Sequence, residues 1–217
     1  MQAISNIFVL YPEKNRFSSN TYLIIGKEPL LIDPGSHSKE YLQKFLIENG
    51  LNFGDIKKII LTHAHADHFS SGQYFKNAIF YISEEDGQYL KTRDNFYTMS
   101  EFFANKFYPE NLKYIKEDDF FDLGCQKLFV IITPGHTLGG LCLYDKENSL
   151  LFSGDILFED SCGRFDLISS DKNSVIDSLK KLQQINFKIL LSGHGMVFTS
   201  SKEDQKENIT QILKQIK

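Results

Sequence analysis

Short apolar runs rich in β-branched and aromatic residues recur along the chain, separated by Gly, Pro, Asn and Asp. That punctuation predicts strands at Ile7 to Leu10, Thr21 to Ile25 and Leu30 to Ile32, the last stopped by Asp33-Pro34-Gly35. Tyr41, Leu42, Phe45 and Leu46 repeat at helical spacing across Lys39 to Asn49, and Gly50 ends the segment. Ile59 to Leu61 and Ile79 to Ile82 are the next strands. In the second half, Leu128 to Thr133, Leu141 to Tyr144, Leu150 to Phe152 and Ile189 to Leu191 predict strands, and Ser174 to Leu182 and Ser201 to Ile216 predict helices. Strands punctuated by helices predict a layered α/β or α+β fold with the helices outside. At 217 residues the expectation is one domain spanning 1–217.

Residues 84–111 break this rhythm, being charged and aromatic at once, with Tyr89, Phe96, Tyr97, Phe102, Phe103, Phe107 and Tyr108. They read as an amphipathic helical hairpin that buries its own aromatics. A cap over an active site or a dimer contact is the alternative.

Composition narrows the function classes. With 41% hydrophobic and 24% charged residues, the chain has the make-up of a globular protein. Its net charge of -4 provides no basic footprint for nucleic acid. Lys180-Lys181 and the lysines from Lys202 to Lys217 read as solvated helix faces. No apolar run approaches the roughly 18 residues that a membrane span needs. Met1 to Asn6 lacks a basic stretch followed by an apolar one, so no secretory signal is expected. Cys125, Cys142 and Cys162 form no CxxC pair, which argues against a zinc ribbon or a disulfide framework and for a reducing, cytoplasmic location. Cys125 and Cys142 are assigned to the core, and Cys162 to packing near the site.

The chemistry concentrates in Thr62-His63-Ala64-His65-Ala66-Asp67-His68, directly after the strand ending at Leu61. Imidazole nitrogen with carboxylate oxygen suits zinc, iron or manganese. Three more polar signals follow strands: Thr133-Pro134-Gly135-His136-Thr137, Ser153-Gly154-Asp155 and Ser192-Gly193-His194-Gly195. A lone histidine after a strand is usually just a hydrogen-bonded residue, and a lone Gly-Asp is usually a turn. Here five of the chain's six histidines fall in the same strand-then-loop context, so the segments read as one composite site. His37 is left over and is assigned a structural role.

Thr-His-Ala-His-Ala-Asp-His, then Pro-Gly-His-Thr, Gly-Asp and Gly-His, in this order from Asp33 to His194, resembles the metallo-β-lactamase superfamily. The resemblance implies a four-layer αββα sandwich with two divalent ions between the sheets, zinc foremost and iron or manganese also suited. It implies that His63, His65 and His136 hold one ion, that Asp67, His68 and His194 hold the other, and that Asp155 bridges them. Catalysis would then rest on Asp67 and Asp155 with a metal-bound hydroxide that attacks an acyl carbonyl.

Gly154-Asp155-Ile156-Leu157-Phe158 running into Cys162-Gly163-Arg164 is similar to the glyoxalase II branch, the hydroxyacylglutathione hydrolases. That likeness implies a small-molecule thioester substrate, with Arg164 contacting its glutathione portion. Asp166 stands where the branch has a tyrosine nearby, and little chain follows His194, so the expected match is a short relative with the catalytic domain alone. The alternative is a persulfide dioxygenase of the same superfamily, with one iron held by His63, His136 and Asp155. Lactonases would place a tyrosine at Phe158, and flavodiiron proteins a glutamate at His65.

Overall fold

The computed structural model describes residues 6–14 and 16–216; the reading of Met1 to Ser5 as free of a secretory signal lies outside them. Twelve strands among these residues form two six-stranded sheets. The first sheet runs in the order β1 (Ile7–Leu10), β2 (Thr21–Ile24), β3 (Leu30–Ile32), β4 (Lys58–Ile60), β5 (Ile79–Ser83) and β6 (Leu112–Ile115). It is antiparallel from β1 to β3 and parallel from β3 to β6. The second consists of β7 (Phe120–Asp122), β8 (Lys127–Ile132), β9 (Leu141–Asp145), β10 (Leu150–Gly154), β11 (Ile189–Ser192) and β12 (Phe198–Thr199), likewise side by side in sequence order. Only β10 and β11 pair in parallel there.

Successive side chains on a strand face opposite ways, and here both faces are covered. Leu30 and Ile32 of β3 point into the seam between the sheets, where they meet Leu150 and Phe152 of β10 in one cluster. Leu31 points outward into a second cluster with Leu42, Phe45 and Leu46 of helix α1 (Lys39–Glu48). On the far side, Leu151 of β10 joins Val175, Leu179 and Leu182 of α4 (Lys172–Gln183) and Ile209 and Ile212 of α5 (Lys202–Gln215). Each fully buried Leu, Ile or Phe contributes about 1.5–3 kcal/mol, which favours strands that are apolar on both faces. The layers are therefore helix, sheet, sheet, helix, as expected.

Two short helices lie between these elements: α2 (Ala66–Phe69), continued by a 3-10 turn over Ser70–Tyr74, and α3 (Glu84–Thr92). The start of α3 is capped by Ser83, whose hydroxyl accepts from the Asp86 amide, and the helix stops where Arg93 takes a left-handed φ of 55°. The hairpin expected over 84–111 does not form. Beyond Thr92 the segment proceeds by turns to β6. Tyr97 stacks on Tyr89 at 3.5 Å and is buried with Tyr108, whereas Phe96 and Phe102 remain 70% and 69% exposed.

Cys125 also departs from expectation, being exposed in the turn between β7 and β8 rather than in the core. Cys142 is buried, and Cys162 is half-buried against the cluster that contains α4. Among the described residues, no helix is long and apolar enough to cross a membrane.

Candidate metal centre

Asp33, His63, His136, Asp155 and His194 each lie just past the carboxyl end of a strand, β3, β4, β8, β10 and β11 respectively. Ligands of open α/β sheets gather at that edge. The chain turns into α2 directly after His65, so Asp67 and His68 occupy the first helical turn. Two glycines let backbone approach this closely. A Cβ on Gly193 would lie 2.1 Å from Asp155 Oδ1, and one on Gly163 would lie 2.0 Å from the Asp155 carbonyl oxygen and 2.8 Å from His136 Nδ1. Neither space admits a side chain.

All seven sequence-predicted ligands converge. Three sets have one donor atom per residue within 4.8 Å of one another: His63, His65 and His136; His63, His68 and Asp155; and Asp67, His68 and His194. His65 Nδ1 faces His63 Nε2 at 3.1 Å and His136 Nε2 at 3.0 Å. Asp155 touches both halves, with Oδ2 at 3.6 Å from His136 Nε2 and 3.3 Å from His194 Nε2, and Oδ1 at 3.4 Å from His68 Nε2. Asp67 Oδ2 lies 3.2 Å from His194 Nε2.

The outer nitrogens of four of these rings are tied down. His136 Nδ1 donates to the Arg164 carbonyl at 2.9 Å, since a carbonyl can only accept. His68 Nδ1 meets the Asp33 carboxylate at 2.9 Å, and His65 Nε2 meets Ser169 Oγ at 2.9 Å. Thr62 Oγ1 gives its own proton to Asp33 Oδ2 and so accepts from His63 Nδ1 at 3.1 Å. With the outer nitrogen protonated, His63, His65 and His136 each turn a bare lone pair inward. Inside, His68 Nε2 and Asp155 Oδ1 are buried without a hydrogen-bond partner. The lone pairs of His63, His65 and His136, crowded together with no proton between them, repel one another, and a cation among them removes the conflict. The donor set therefore fits divalent metal.

Charge follows the same logic. Burial, reinforced by the neighbouring imidazoles, pushes His63 well below its usual pKa and His65 down to about 3, so both are neutral donors. Burial works against ionisation of Asp155, but His194 and His68 overcome it and hold the carboxyl well below the carboxylate range. The Asp155 carboxylate lifts His194 to about 10 against the opposing effect of burial.

Sequence reasoning missed Asp33 and Asp86. Asp33 accepts from the Thr62 amide, the Thr62 hydroxyl and His68. It adopts φ 49°, a left-handed backbone that aspartate tolerates better than most residues. Its position after a strand, shared with every ligand segment, was the signal for it. Asp33→Asn keeps that backbone but replaces an acceptor oxygen with a donor. We expect metal affinity to fall about 10- to 100-fold, read by competitive chelator titration; wild-type affinity would deny the residue its orienting role.

Asp86, buried at the start of α3, accepts from the amides of Ala64 and Gly139 and the hydroxyls of Tyr97 and Thr137. It thus joins the loops carrying His63, His65 and His136. The Arg164 side chain stays outside the centre, exposed and paired with Asp166 through two hydrogen bonds of 2.8 and 2.9 Å. His37 is buried apart from the cluster, 3.0 Å from Thr21 Oγ1.

The family profile described as the Metallo-beta-lactamase superfamily matches residues 15–194. A probable metallo-hydrolase of Methanocaldococcus jannaschii is 38% identical over 194 residues, covering 83% of this chain and 89% of its own length. The hydroxyacylglutathione hydrolase GloC of Haemophilus influenzae is 28% identical over 201 residues, with 86% and 90% covered. Among solved structures, a protein crystallised in a di-iron-bound form superposes with a TM-score of 0.75 at 28% identity, over 88% of this chain and 94% of that one.

Proposed function

The chain belongs to the metallo-beta-lactamase superfamily, and from that premise we propose a metal-dependent hydrolase whose substrate is a small-molecule thioester, a hydroxyacylglutathione being the first candidate. The observation that carries the reading is the set of inward lone pairs fixed from outside by Thr62, Ser169 and the Arg164 carbonyl. His63, His65 and His136 would hold one ion; Asp67, His68 and His194 would hold a second; and Asp155 would serve both. Zinc suits this donor set foremost, with iron or manganese next. The likeness to a di-iron-bound neighbour supports two ions per chain.

Bound there, such ions lower the pKa of water toward about 7 and polarise a carbonyl oxygen. Asp155 keeps the two halves in register because its oxygens face imidazoles from both. Asp67, anchored at the start of α2, is the second carboxylate able to orient water and accept its proton. The likeness to a hydroxyacylglutathione hydrolase supports an acyl carbonyl as the target.

The test is thiol release from S-lactoylglutathione by purified, metal-analysed protein. We expect turnover that stops on chelation and returns with metal. Turnover indifferent to chelation overturns the metal role. Oxygen uptake with a persulfide, one iron per chain and no thiol release would move the assignment to a persulfide dioxygenase.

Arg164 is proposed to reach the thiol portion by leaving Asp166. In Arg164→Ala, KM for S-lactoylglutathione should rise about fivefold while kcat stays within about twofold, as uniform binding requires. An unchanged KM would leave the guanidinium only its pairing with Asp166.

A further inference from the structure

Four of the five candidate histidines are fixed from outside through a ring nitrogen, and His194 is not. Its Nε2 faces Asp67 and Asp155, but among the described residues no hydrogen bond reaches its outer nitrogen, and the side chain is 37% exposed. The ring stands in the loop Ser192-Gly193-His194-Gly195, where Gly195 takes a left-handed φ of 82° with open space beside it. Two glycines leave this backbone free to wander unless something grips it.

Asn20 does so. Its side-chain amide donates to the carbonyls of Ser192 at 3.0 Å and Gly195 at 2.8 Å, on either side of His194. An amide nitrogen carries two protons, and here each has a carbonyl to meet. The backbone amide of Asn20 donates to the Gly193 carbonyl at 2.7 Å, and Tyr22 gives its hydroxyl proton to the Ser192 carbonyl at 2.6 Å. In the other direction, the amide of Ser19 donates to the Asp67 carbonyl at 3.0 Å. Ser19, Asn20 and Tyr22 are all buried. Two adjacent residues therefore tie the backbone of Asp67 to that of His194.

None of these bonds touches the loops of His63, His65 and His136. Asp86 joins those loops, while Ser169 and the Arg164 carbonyl hold the rings of His65 and His136. The centre thus rests on two separate supports, one for each proposed set of ligands.

We infer that Asn20 is a positioning residue for the second ion alone: it sets the affinity of the Asp67, His68 and His194 set and leaves the His63, His65 and His136 set intact. The inference rests on the two-ion reading and adds to it the buried side chain that decides whether the second ion stays. A chain without that side chain would keep a one-ion form.

The experiment is calorimetric titration of metal-free protein with zinc, with bound zinc counted after dialysis, for wild type, Asn20→Ala, Asn20→Asp and Tyr22→Phe. His194→Ala identifies the binding step that belongs to the second set. Asn20→Asp is nearly isosteric but turns an oxygen toward the two carbonyls, so it breaks the grip without opening a cavity. In both Asn20 variants we expect the second zinc to bind about 10- to 100-fold more weakly and the first to stay within about threefold of wild type. Tyr22→Phe keeps the ring packed against Phe152 and loses one bond to the loop. There the second zinc should weaken about 2- to 10-fold.

A merely structural Asn20 would weaken both ions alike or neither, and either result overturns the inference. If the Asn20 variants fail to fold, Tyr22→Phe decides by the same ratio of affinities. Wild-type protein that binds a single zinc overturns the two-ion reading and the inference with it. Two zincs bound with unchanged stepwise affinities in the variants overturn the inference alone.

Discussion

Asp155→Ala is expected to abolish turnover, lowering it at least about a thousandfold, and to reduce metal content in both halves of the centre. Among the described residues, Asp155 is the one side chain whose oxygens face imidazoles of both sets, His136 on one side and His68 and His194 on the other. It is buried and yet held ionised by His194 and His68. Truncation would remove a donor and, on the proposed two-ion reading, the negative charge that balances the cations. Outer partners of metal ligands already cost about 10- to 100-fold in affinity when lost, and a residue facing both sets should exceed that. Metal analysis after dialysis against a weak chelator, alongside thiol release, provides the check. Asp155→Asn separates charge from shape, because it keeps the volume and one oxygen. If Asp155→Ala retained activity and two ions, the bridging assignment would be lost.

The largest effect on stability is expected at Asp86, which ties together the loops carrying His63, His65 and His136. Its carboxylate satisfies two amides and two hydroxyls, with the Thr137 and Ala64 bonds each at 2.8 Å and the Tyr97 bond at 2.6 Å. Asp86→Ala would strand these four donors in the interior, where an unmet donor costs about 1–3 kcal/mol. Partial rearrangement limits the sum, so we expect a loss of about 3–5 kcal/mol in denaturant unfolding. In a chain of this size that corresponds to a fall in Tm of about 6–20 °C. Asp86→Asn, which retains one acceptor oxygen, should lose less. An unaltered unfolding midpoint in Asp86→Ala would mean that the four donors find water instead.

Much of the architecture was legible because both faces of most strands are covered. Runs such as Leu30-Leu31-Ile32 and Leu150-Leu151-Phe152 are apolar without alternation, and they mark themselves by composition and by the turn residues that end them. The strands that escaped notice are peripheral. β6 and β7 form sheet edges with exposed positions at Lys113, Tyr114 and Phe120, and β12 has only two residues. Little burial means little signal. The 84–111 segment misled for the opposite reason: its aromatics promised a buried helical face, but Arg93 breaks the helix, and side chains such as Tyr97 are buried by long-range contacts.

At the centre, histidines could be recognised because three crowd one heptapeptide and chemistry limits what such a cluster is for. Asp86 could not, and Asp33 only by its place after a strand. An aspartate before Pro-Gly reads as a turn residue, and one in the first turn of a helix reads as favourable to the helix dipole. What reveals them is the identity of the donors they meet, from Thr62 and His68 to Ala64 and Gly139, and these come together only in the folded chain.

The distribution of the candidate ligands between the sheets has a consequence for how metal would be acquired. His63, His65, Asp67 and His68 leave the ribosome early, while Asp155 and His194 arrive only after most of the second sheet has been made. A nascent chain offers a flexible, incomplete histidine cluster, which binds whichever divalent ion is most competitive for nitrogen donors. The full arrangement exists only after the two sheets have closed on each other, so discrimination among metals is deferred to the folded state. Refolding the protein with one ion present and then offering another would therefore report the selectivity of the finished cavity, and the order of addition would matter only if early capture outlived folding.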